Sequence, residues 1–282
     1  MSRQILTLGH GYSAAAFAAS LPPEWQVQGT TRCAESAAGM RAAGVEPVEW
    51  QDTAALEAAV AAADSVLVSA PPGAEGDPVL SRLAAALAKA PNLGWVGYLS
   101  TTGVYGDRSG AWVDETAERR PANDRSRWRM AAEDAWLATG LPVQVFRLAG
   151  IYGPGRSVFD RLRERRAQRV VKPGQVFSRI HVDDIAACLR ASMAAPAPGR
   201  AYNVADDEPA PPGDVVAFAA DLLGIPPPPE VDFDAAELSP MARSFYAESK
   251  RISNRRIRSE LGVSLAYPDY RTGLRAVLEA GG

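Results

Sequence analysis

Short apolar runs alternate with longer helix-forming stretches through the first half of the chain. The runs that predict strands are Gln4–Leu8, Trp25–Thr30, Glu46–Glu49, Ser65–Ser69, Leu93–Ser100 and Pro142–Leu148. The stretches that predict helices are Ser13–Ser20, Glu35–Ala43, Thr53–Ala63, Pro78–Ala90 and Ala122–Thr139. Such alternation indicates βαβ units, so the predicted fold class is α/β, with a doubly wound parallel sheet of the Rossmann type.

The pattern becomes less regular after Gly150, where Pro-rich connectors separate short apolar segments. A strongly charged stretch, Arg156–Gln168, predicts one more helix. We therefore predict a first domain over residues 1–150 and a smaller C-terminal α/β lobe over residues 151–282 that binds the substrate. The apolar segment 180–195 is predicted to return to the first domain.

Composition narrows the functional classes. Of the 282 residues 47% are hydrophobic and the formal net charge is −3, which permits a large core and argues against a nucleic-acid partner. Two distant cysteines and two histidines predict neither a disulfide framework nor a metal site. The N-terminal apolar run is too short for a signal peptide, and the uncharged stretch Gln4–Pro23, with two Gly and two Pro, is not typical of a membrane span. We expect a cytoplasmic monomer or homodimer that acts on a small molecule. Its Ala and Arg richness suggests a bacterial source.

A Gly-rich loop follows the first predicted strand and opens the first predicted helix. Its first glycine allows a tight turn, its second lets a pyrophosphate approach the backbone, and the alanine lets the helix pack closely on the strand. The helix N-terminus adds unpaired N–H groups that attract phosphate. The loop therefore predicts a bound dinucleotide, contacted by Gly9, Gly11, Tyr12, Ser13 and Ala14.

The end of the second predicted strand indicates which dinucleotide is bound. NAD enzymes place an acidic residue there for the ribose 2′-hydroxyl, whereas this chain has Thr31 and Arg32. Arg32 can pair with a 2′-phosphate and the Thr31 hydroxyl can add a hydrogen bond, which favours NADP. Alternatively, Arg32 faces solvent or stacks on adenine, and NAD is accepted as well. Ala70 and Pro71, at the exit of the fourth strand, are expected to pass the cofactor.

Four later segments resemble motifs of the extended short-chain dehydrogenase/reductase family, the NAD-dependent epimerase/dehydratase group. They are Leu99–Gly106, Arg147–Gly155, Ile180–Asp184 and Ala201–Val204. The resemblance implies a cofactor-binding Rossmann domain and a small polar or anionic substrate. It also implies that Tyr152 contacts the cofactor and that Ala201–Val204 is a strand of the second lobe.

In that family a Ser or Thr on the fifth strand works with a Tyr-x-x-x-Lys pair on the next helix. Thr101 matches the hydroxyl position, but Arg129 stands at the Lys position and Arg125 at the Tyr position. The chain therefore resembles an atypical member, because a guanidinium does not release its proton near neutral pH. Tyr105 and Tyr152 are the nearest substitute phenols, or else packing residues. The candidate catalytic residues are Thr101, Tyr105 and Arg129.

Two functions remain open from the sequence. One is an NADP-dependent oxidoreductase or epimerase-like enzyme with an unidentified proton carrier. The other is a non-catalytic NAD(P)-binding regulatory or scaffold module. An Arg cluster after Gly155 fits an anionic substrate, a nucleic acid or a solvated helix face. The literal Tyr-x-x-x-Lys at Tyr246–Lys250 lies outside the family's position and is interpreted as a chance pattern.

Overall fold

A parallel sheet of seven strands forms the centre of the computed structural model, which describes residues 3–281. In chain order its strands are β1 (Arg3–Leu8), β2 (Trp25–Thr31), β3 (Glu46–Glu49), β4 (Ser65–Val68), β5 (Trp95–Thr101), β7 (Val143–Leu148) and β11 (Ala201–Val204). Their spatial order is β11-β7-β5-β4-β1-β2-β3, and every neighbouring pair is parallel. This order reverses beside β1, which is the Rossmann arrangement that the sequence predicts.

Apolar side chains alternate between the two faces of this sheet because strand residues point to opposite sides in turn. On β1, Ile5 joins one core with Phe17, whereas Leu6 and Leu8 join another with Leu56. The flanking helices are α1 (Tyr12–Ala19), α2 (Ala34–Ala42), α3 (Thr53–Ala62), α4 (Pro78–Ala88), α5 (Asp124–Leu137) and α7 (Val182–Ala194). Helices α1 and α7 cover the first face, and α3, α4 and α5 cover the second.

Three two-stranded ladders lie outside the central sheet, and most of their strands come from residues 151–282. The strands are β6 (Trp112–Val113), β8 (Gly150–Tyr152), β9 (Arg169–Val171), β10 (Arg179–His181), β12 (Glu230–Asp232) and β13 (Arg251–Ile252). Of these, β6 and β13 pack on the first core through Val113 and Ile252. The remaining helices are α6 (Phe159–Arg163), α8 (Pro212–Leu222), α9 (Pro240–Phe245), α10 (Arg255–Ser259) and α11 (Tyr270–Glu279). Helices α6, α8 and α11 share a separate apolar core, which includes Phe159, Ala219 and Leu274.

Two sequence predictions about this region are wrong. The helix expected over Arg156–Gln168 is a single turn, α6, because only Val158, Phe159 and Leu162 are buried there and Arg165 takes a positive φ of 56°. The segment Ala201–Val204, expected in the second lobe, is instead the edge strand of the central sheet, paired with β7. Its Tyr202 ring stacks on Phe146, which ties this strand to the first core.

Two glycine substitutions compare a sterically restricted position after β5, Gly106, with an open one, Gly140. Gly106 has φ 66° and ψ −158°, which only glycine adopts readily, and a Cβ there would overlap the Arg120 carbonyl oxygen. Gly140 also has a positive φ of 75°, but its Cβ would meet no atom within 4 Å. We expect G106A to lower the free energy of unfolding by at least about 3 kcal/mol and G140A by about 1 kcal/mol in urea titrations. Equal losses would contradict the steric argument.

Candidate functional site

The Gly-rich loop is held by contacts on both sides. Gly9 has a φ of 92°, and a Cβ there would lie 2.7 Å from the Ala70 nitrogen, so the backbone of the loop touches the exit of β4. The Gly9 N–H donates to the Thr30 hydroxyl at 2.7 Å, and the Ser69 hydroxyl donates to the Gly9 carbonyl oxygen. The loop is therefore fixed in shape by β1, β2 and β4 together.

Gly11 differs from Gly9 in what surrounds it. Its φ of −99° suits any residue, and a Cβ there would meet no atom within 4 Å. The chain's own packing therefore gives no reason for glycine at this position. Gly11 precedes α1, whose first N–H groups have no side-chain cap, and opens onto a cleft. Open space above an uncapped helix N-terminus fits a pyrophosphate group.

The cleft runs between the carboxyl ends of β5 and β7 and the smaller lobe, with a volume of about 1180 Å³. Of the residues predicted from the sequence, it is lined by Gly11, Tyr12, Ser13, Thr101, Arg129 and Tyr152. The predicted residues outside its lining are Gly9, Ala14, Thr31, Arg32, Ala70, Pro71 and Tyr105. Gly9 lies in the loop against Ala70 and Ala14 is buried in α1, whereas Arg32 and Pro71 are exposed near the carboxyl ends of β2 and β4.

Thr31 and Arg32 occupy different environments despite being neighbours. Thr31 is buried, and its hydroxyl donates to the Cys33 carbonyl oxygen at 3.1 Å and accepts from the Cys33 N–H at 3.3 Å. Arg32 is exposed and pairs with no group among residues 3–281. Thus the Arg32 guanidinium has all of its donors available at the end of β2.

Positive charge dominates the cleft. Its cationic lining residues are Arg125, Arg129, Arg156, Arg161, Arg166, Arg179 and Lys250, whereas its acidic ones are Asp160, Glu237 and Glu248. Three of the cations come from the Arg cluster after Gly155. Arg156 also lies over the Tyr12 ring, 5.7 Å from its centroid, which brings this charge beside the Gly-rich loop.

Thr101 and Arg129 both face the cleft, but they are bound differently. The Thr101 hydroxyl accepts the Gly103 N–H at 3.1 Å and keeps its own hydrogen without an acceptor among the described residues. Arg129 donates through Nη1 to the Leu99 carbonyl oxygen at 2.8 Å and to the Tyr98 hydroxyl at 3.2 Å. Its Nε and Nη2 donors remain available to a ligand.

Arg125, at the family's Tyr position, extends toward the smaller lobe. Its Nη2 lies 3.3 Å from the Ser244 hydroxyl, and its guanidinium lies 5.8 Å from the Phe245 ring centroid. It therefore bridges the first turn of α5 to helix α9 across the cleft. A permanent cation in this position attracts anions, but it does not exchange protons near neutral pH.

Tyr105 belongs to a buried network rather than to the cleft. Its fully buried hydroxyl accepts from Arg147 Nη1 at 2.8 Å and donates to Asn203 Oδ1 at 2.7 Å. Burial raises the pKa of Tyr105 in spite of the adjacent guanidinium. Both hydrogen-bonding functions of this phenol are thus used inside the protein.

Arg147 continues the network to a fully buried carboxylate, Glu133, which it meets through Nη2 at 2.8 Å and through Nε at 3.2 Å. Glu133 also accepts from the Ser100 hydroxyl and, at 3.1 Å, from Arg119. Helix α5, strands β5 and β7 and the loop before α5 are joined through this one carboxylate. A buried charge with this many donors is fully compensated.

Tyr152 is the last residue of β8 and lines the cleft. Its ring meets His181 edge-on at 5.2 Å, and its hydroxyl lies 3.5 Å from the Asp269 carbonyl oxygen. A Cβ on Gly273 would overlap that hydroxyl, so α11 packs directly on the phenol. Burial raises the pKa of Tyr152, which disfavours a proton-transfer role.

Sequence reasoning missed two cleft residues on the segment before β13. Glu248 and Lys250 form an ion pair of 2.5 Å, and their side chains are only 10% and 11% exposed. The literal Tyr-x-x-x-Lys pattern at Tyr246–Lys250 pointed to this segment. That pattern has meaning only on a helix, however, and residues 248–250 have no helical structure.

The described residues contain no helix that is long and apolar enough to cross a membrane. Within the same range, no group of three or more His, Cys, Asp or Glu side chains is arranged to hold a metal ion.

No protein-family model matches the chain. A conserved protein of unknown function from Silicibacter pomeroyi is 51% identical in sequence, with 99% of both chains covered and a TM-score of 0.92. The chain belongs to the same family as that protein. YeeZ of Escherichia coli strain K12 is 28% identical, over 95% of this chain and 97% of YeeZ.

Other structural neighbours are NAD-dependent epimerase/dehydratase proteins. One from Methylobacillus flagellatus, assigned to this group, is 26% identical over 100% of this chain and 99% of its own, with a TM-score of 0.75. The UDP-glucuronic acid 4-epimerase of Bacillus cereus, in complex with UDP-glucuronic acid and NAD, has a TM-score of 0.78 over 98% of each chain. Its identity is 17%, so it supports the shared fold alone.

The buried Glu133 carboxylate provides a direct test of the network. E133Q leaves the buried Arg147 without its counter-charge, whereas Arg119 keeps Asp134, so we expect the free energy of unfolding to fall by about 3–5 kcal/mol. The matched control is D134N, which breaks the exposed 2.7 Å pair between Arg119 and Asp134 and should cost less than about 1 kcal/mol. Urea titrations followed by tryptophan fluorescence measure both. Similar losses in the two variants would contradict the role assigned to Glu133.

Proposed function

We propose that this protein binds NADP(H) in the cleft and acts as an epimerase/dehydratase-type oxidoreductase on a small anionic substrate. The observation that carries the proposal is the open space at Gly11. A glycine that no neighbouring atom requires, above an uncapped helix N-terminus, leads directly into a large cationic cleft. Backbone N–H groups at that terminus would hold the pyrophosphate.

Arg32 supports the choice of NADP over NAD. It stands where NAD enzymes usually have a carboxylate, and its guanidinium has no partner among the described residues. A 2′-phosphate would supply that partner through charge-assisted hydrogen bonds. Since Thr31 bonds to its own turn, Arg32 carries most of this preference, and NAD binds more weakly.

The bound dinucleotide supplies hydride exchange at its nicotinamide ring. Thr101 orients the reacting oxygen of the substrate through its free hydroxyl hydrogen, and Arg129 donates to ribose hydroxyls through Nε and Nη2. The lobe over residues 151–282 holds the anionic part of the substrate, with Arg161 and Arg179 among the cations that line this side. Tyr105 and Tyr152 maintain the shape of the site.

A non-catalytic NAD(P)-binding module is the second candidate, favoured by one observation. Arg125 replaces the family's tyrosine, and the candidate substitute phenol Tyr105 is committed to Arg147 and Asn203. Loss of nicotinamide absorbance with aldehyde, ketone and sugar-nucleotide probes separates the candidates. Tight NADPH binding without turnover of any probe would favour the module.

Gly11→Val tests the cofactor site itself. The Val side chain enters open space, so stability should stay within about 0.5 kcal/mol of the wild type. NADPH affinity should fall at least about 100-fold, because the side chain occupies the proposed pyrophosphate position. The control is G39V, at an exposed glycine of α2 whose Cβ also meets no atom within 4 Å. If quenching by NADPH were equal in both variants, the cofactor would not bind at this loop.

Arg32→Ala tests the cofactor preference. NADPH affinity should fall about 10- to 100-fold, as expected for one charge-assisted contact to phosphate, and NADH affinity should not change. Arg41→Ala, in the last turn of α2, the helix that follows Arg32, is the control and should alter neither affinity. Fluorescence titrations with both cofactors measure the ratio. A preference for NADPH that persists in R32A would refute the role assigned to Arg32.

A further inference from the structure

The segment Glu248–Lys250, which lies between α9 and β13, brings two opposite charges to the cleft. Glu248 and Lys250 both line the cleft, whereas Ser249 between them does not. They form an ion pair of 2.5 Å and are about nine-tenths buried. Unlike the more deeply buried Glu133–Arg147 pair, this ion pair lines the open cleft.

Contacts from both lobes fix the pair in place. Lys250 donates to the Gly106 carbonyl oxygen at 2.9 Å, directly after the 3₁₀ turn Thr102–Tyr105 that follows Thr101. Glu248 Oε1 lies 3.4 Å from Asn123 Nδ2, at the residue that caps α5. Gln175 donates to the Glu248 carbonyl oxygen at 2.7 Å from the smaller lobe. The two charges are therefore held beside the start of the helix on which the family's tyrosine is expected.

Each partner has hydrogen-bonding capacity to spare. The Lys250 ammonium has three N–H donors, of which two are used by Gly106 and Glu248. A carboxylate accepts about four hydrogen bonds, and Glu248 receives two through its side chain. One donor and two acceptor positions thus remain for a ligand in the same cleft as Thr101.

We propose that Glu248 and Lys250 form the proton-transfer pair of this cleft, in place of the Tyr–Lys pair that α5 lacks. The inference rests on the proposed function, with NADP⁺ as the oxidant. In oxidation of a secondary alcohol, the C–H electron pair leaves with its hydrogen as hydride to NADP⁺. The O–H proton passes to the Glu248 carboxylate while the third Lys250 N–H holds the oxygen. The products are a carbonyl compound, NADPH and protonated Glu248, and reduction follows the reverse path.

Tyr246 is not part of this pair. Its ring packs against Phe177 and Phe233, at centroid distances of 5.3 Å and 5.2 Å, and it ends α9 rather than sharing a helix face with Lys250. Lys172 provides a contrast, because it donates to the Tyr246 carbonyl oxygen from outside the cleft lining. Lys172 holds the segment in place but does not line the cleft, so a substitution of Lys172 tests a purely structural contribution.

The first experiment locates the pair relative to the nicotinamide. The chain has only three lysines, Lys89, Lys172 and Lys250, so their ¹³Cε signals can be followed individually by NMR and assigned with K172M and K250M. NADP⁺ should shift the Lys250 signal, whereas adenosine 2′,5′-bisphosphate, which lacks nicotinamide, should leave it unchanged. An unmoved Lys250 in the presence of bound NADP⁺ would overturn the inference and leave the proposed function intact. If fluorescence detects binding of neither ligand, the proposed function fails as well.

The second experiment measures proton transfer directly. The probes are glyceraldehyde and the 4-keto derivative of UDP-glucuronic acid, each reduced by NADPH. For both, kcat should fall about 100-fold or more in E248Q and in K250M, while the affinity for NADPH is retained. The dependence of kcat on pH that the wild type shows should be absent in E248Q. K172M should keep both the rate and the profile, because it loosens only the segment. A loss in K172M equal to that in K250M, or no turnover of either probe by wild-type protein that binds NADPH, would overturn the assignment.

Discussion

The buried ion pair between Glu133 and Arg147 fixes the carboxyl ends of β5 and β7, on which the rest of the site depends. Burying either charge alone would cost several kcal/mol, so each holds the other in place. Glu133 projects from α5 and Arg147 from β7, and Ser100 on β5 donates to the same carboxylate. The carboxyl ends of β5 and β7, and the first turns of α5, therefore cannot shift independently of one another.

This constraint determines which groups are available for chemistry. Arg147 also binds Tyr105, and Tyr105 binds Asn203 on the edge strand β11, so this phenol serves the framework rather than the cleft. At the family's tyrosine position the cleft has the cation Arg125 instead. The titratable groups Glu248 and Lys250 come from the smaller lobe. The cleft is therefore lined by side chains from both halves of the chain.

Much of the fold follows from local patterns. The central-sheet strands before Gly150 agree with the predicted runs to within two residues at each end, because parallel strands buried on both faces need continuous apolar residues. The short strand β6 was not predicted. The Gly-rich loop is equally local, since the requirement at Gly9 comes from its positive φ and its contact with Ala70. The predicted helix over Arg156–Gln168 was wrong. This segment has many charged residues that form helices readily, but only the single turn α6 packs against an apolar core.

The sequence by itself determined the Rossmann sheet, the loop that faces the proposed pyrophosphate position and the absence of tyrosine and lysine on α5. Each of these depends on residues close together in the chain. Only the tertiary structure decided the burial and hydrogen-bond partners of Tyr105, the edge position of β11 and the presence of Glu248 and Lys250 in the cleft. The physical reason is that burial and ion pairing depend on distance in space. Glu248 meets Asn123 across a sequence separation of 125 residues, and no local pattern encodes that contact.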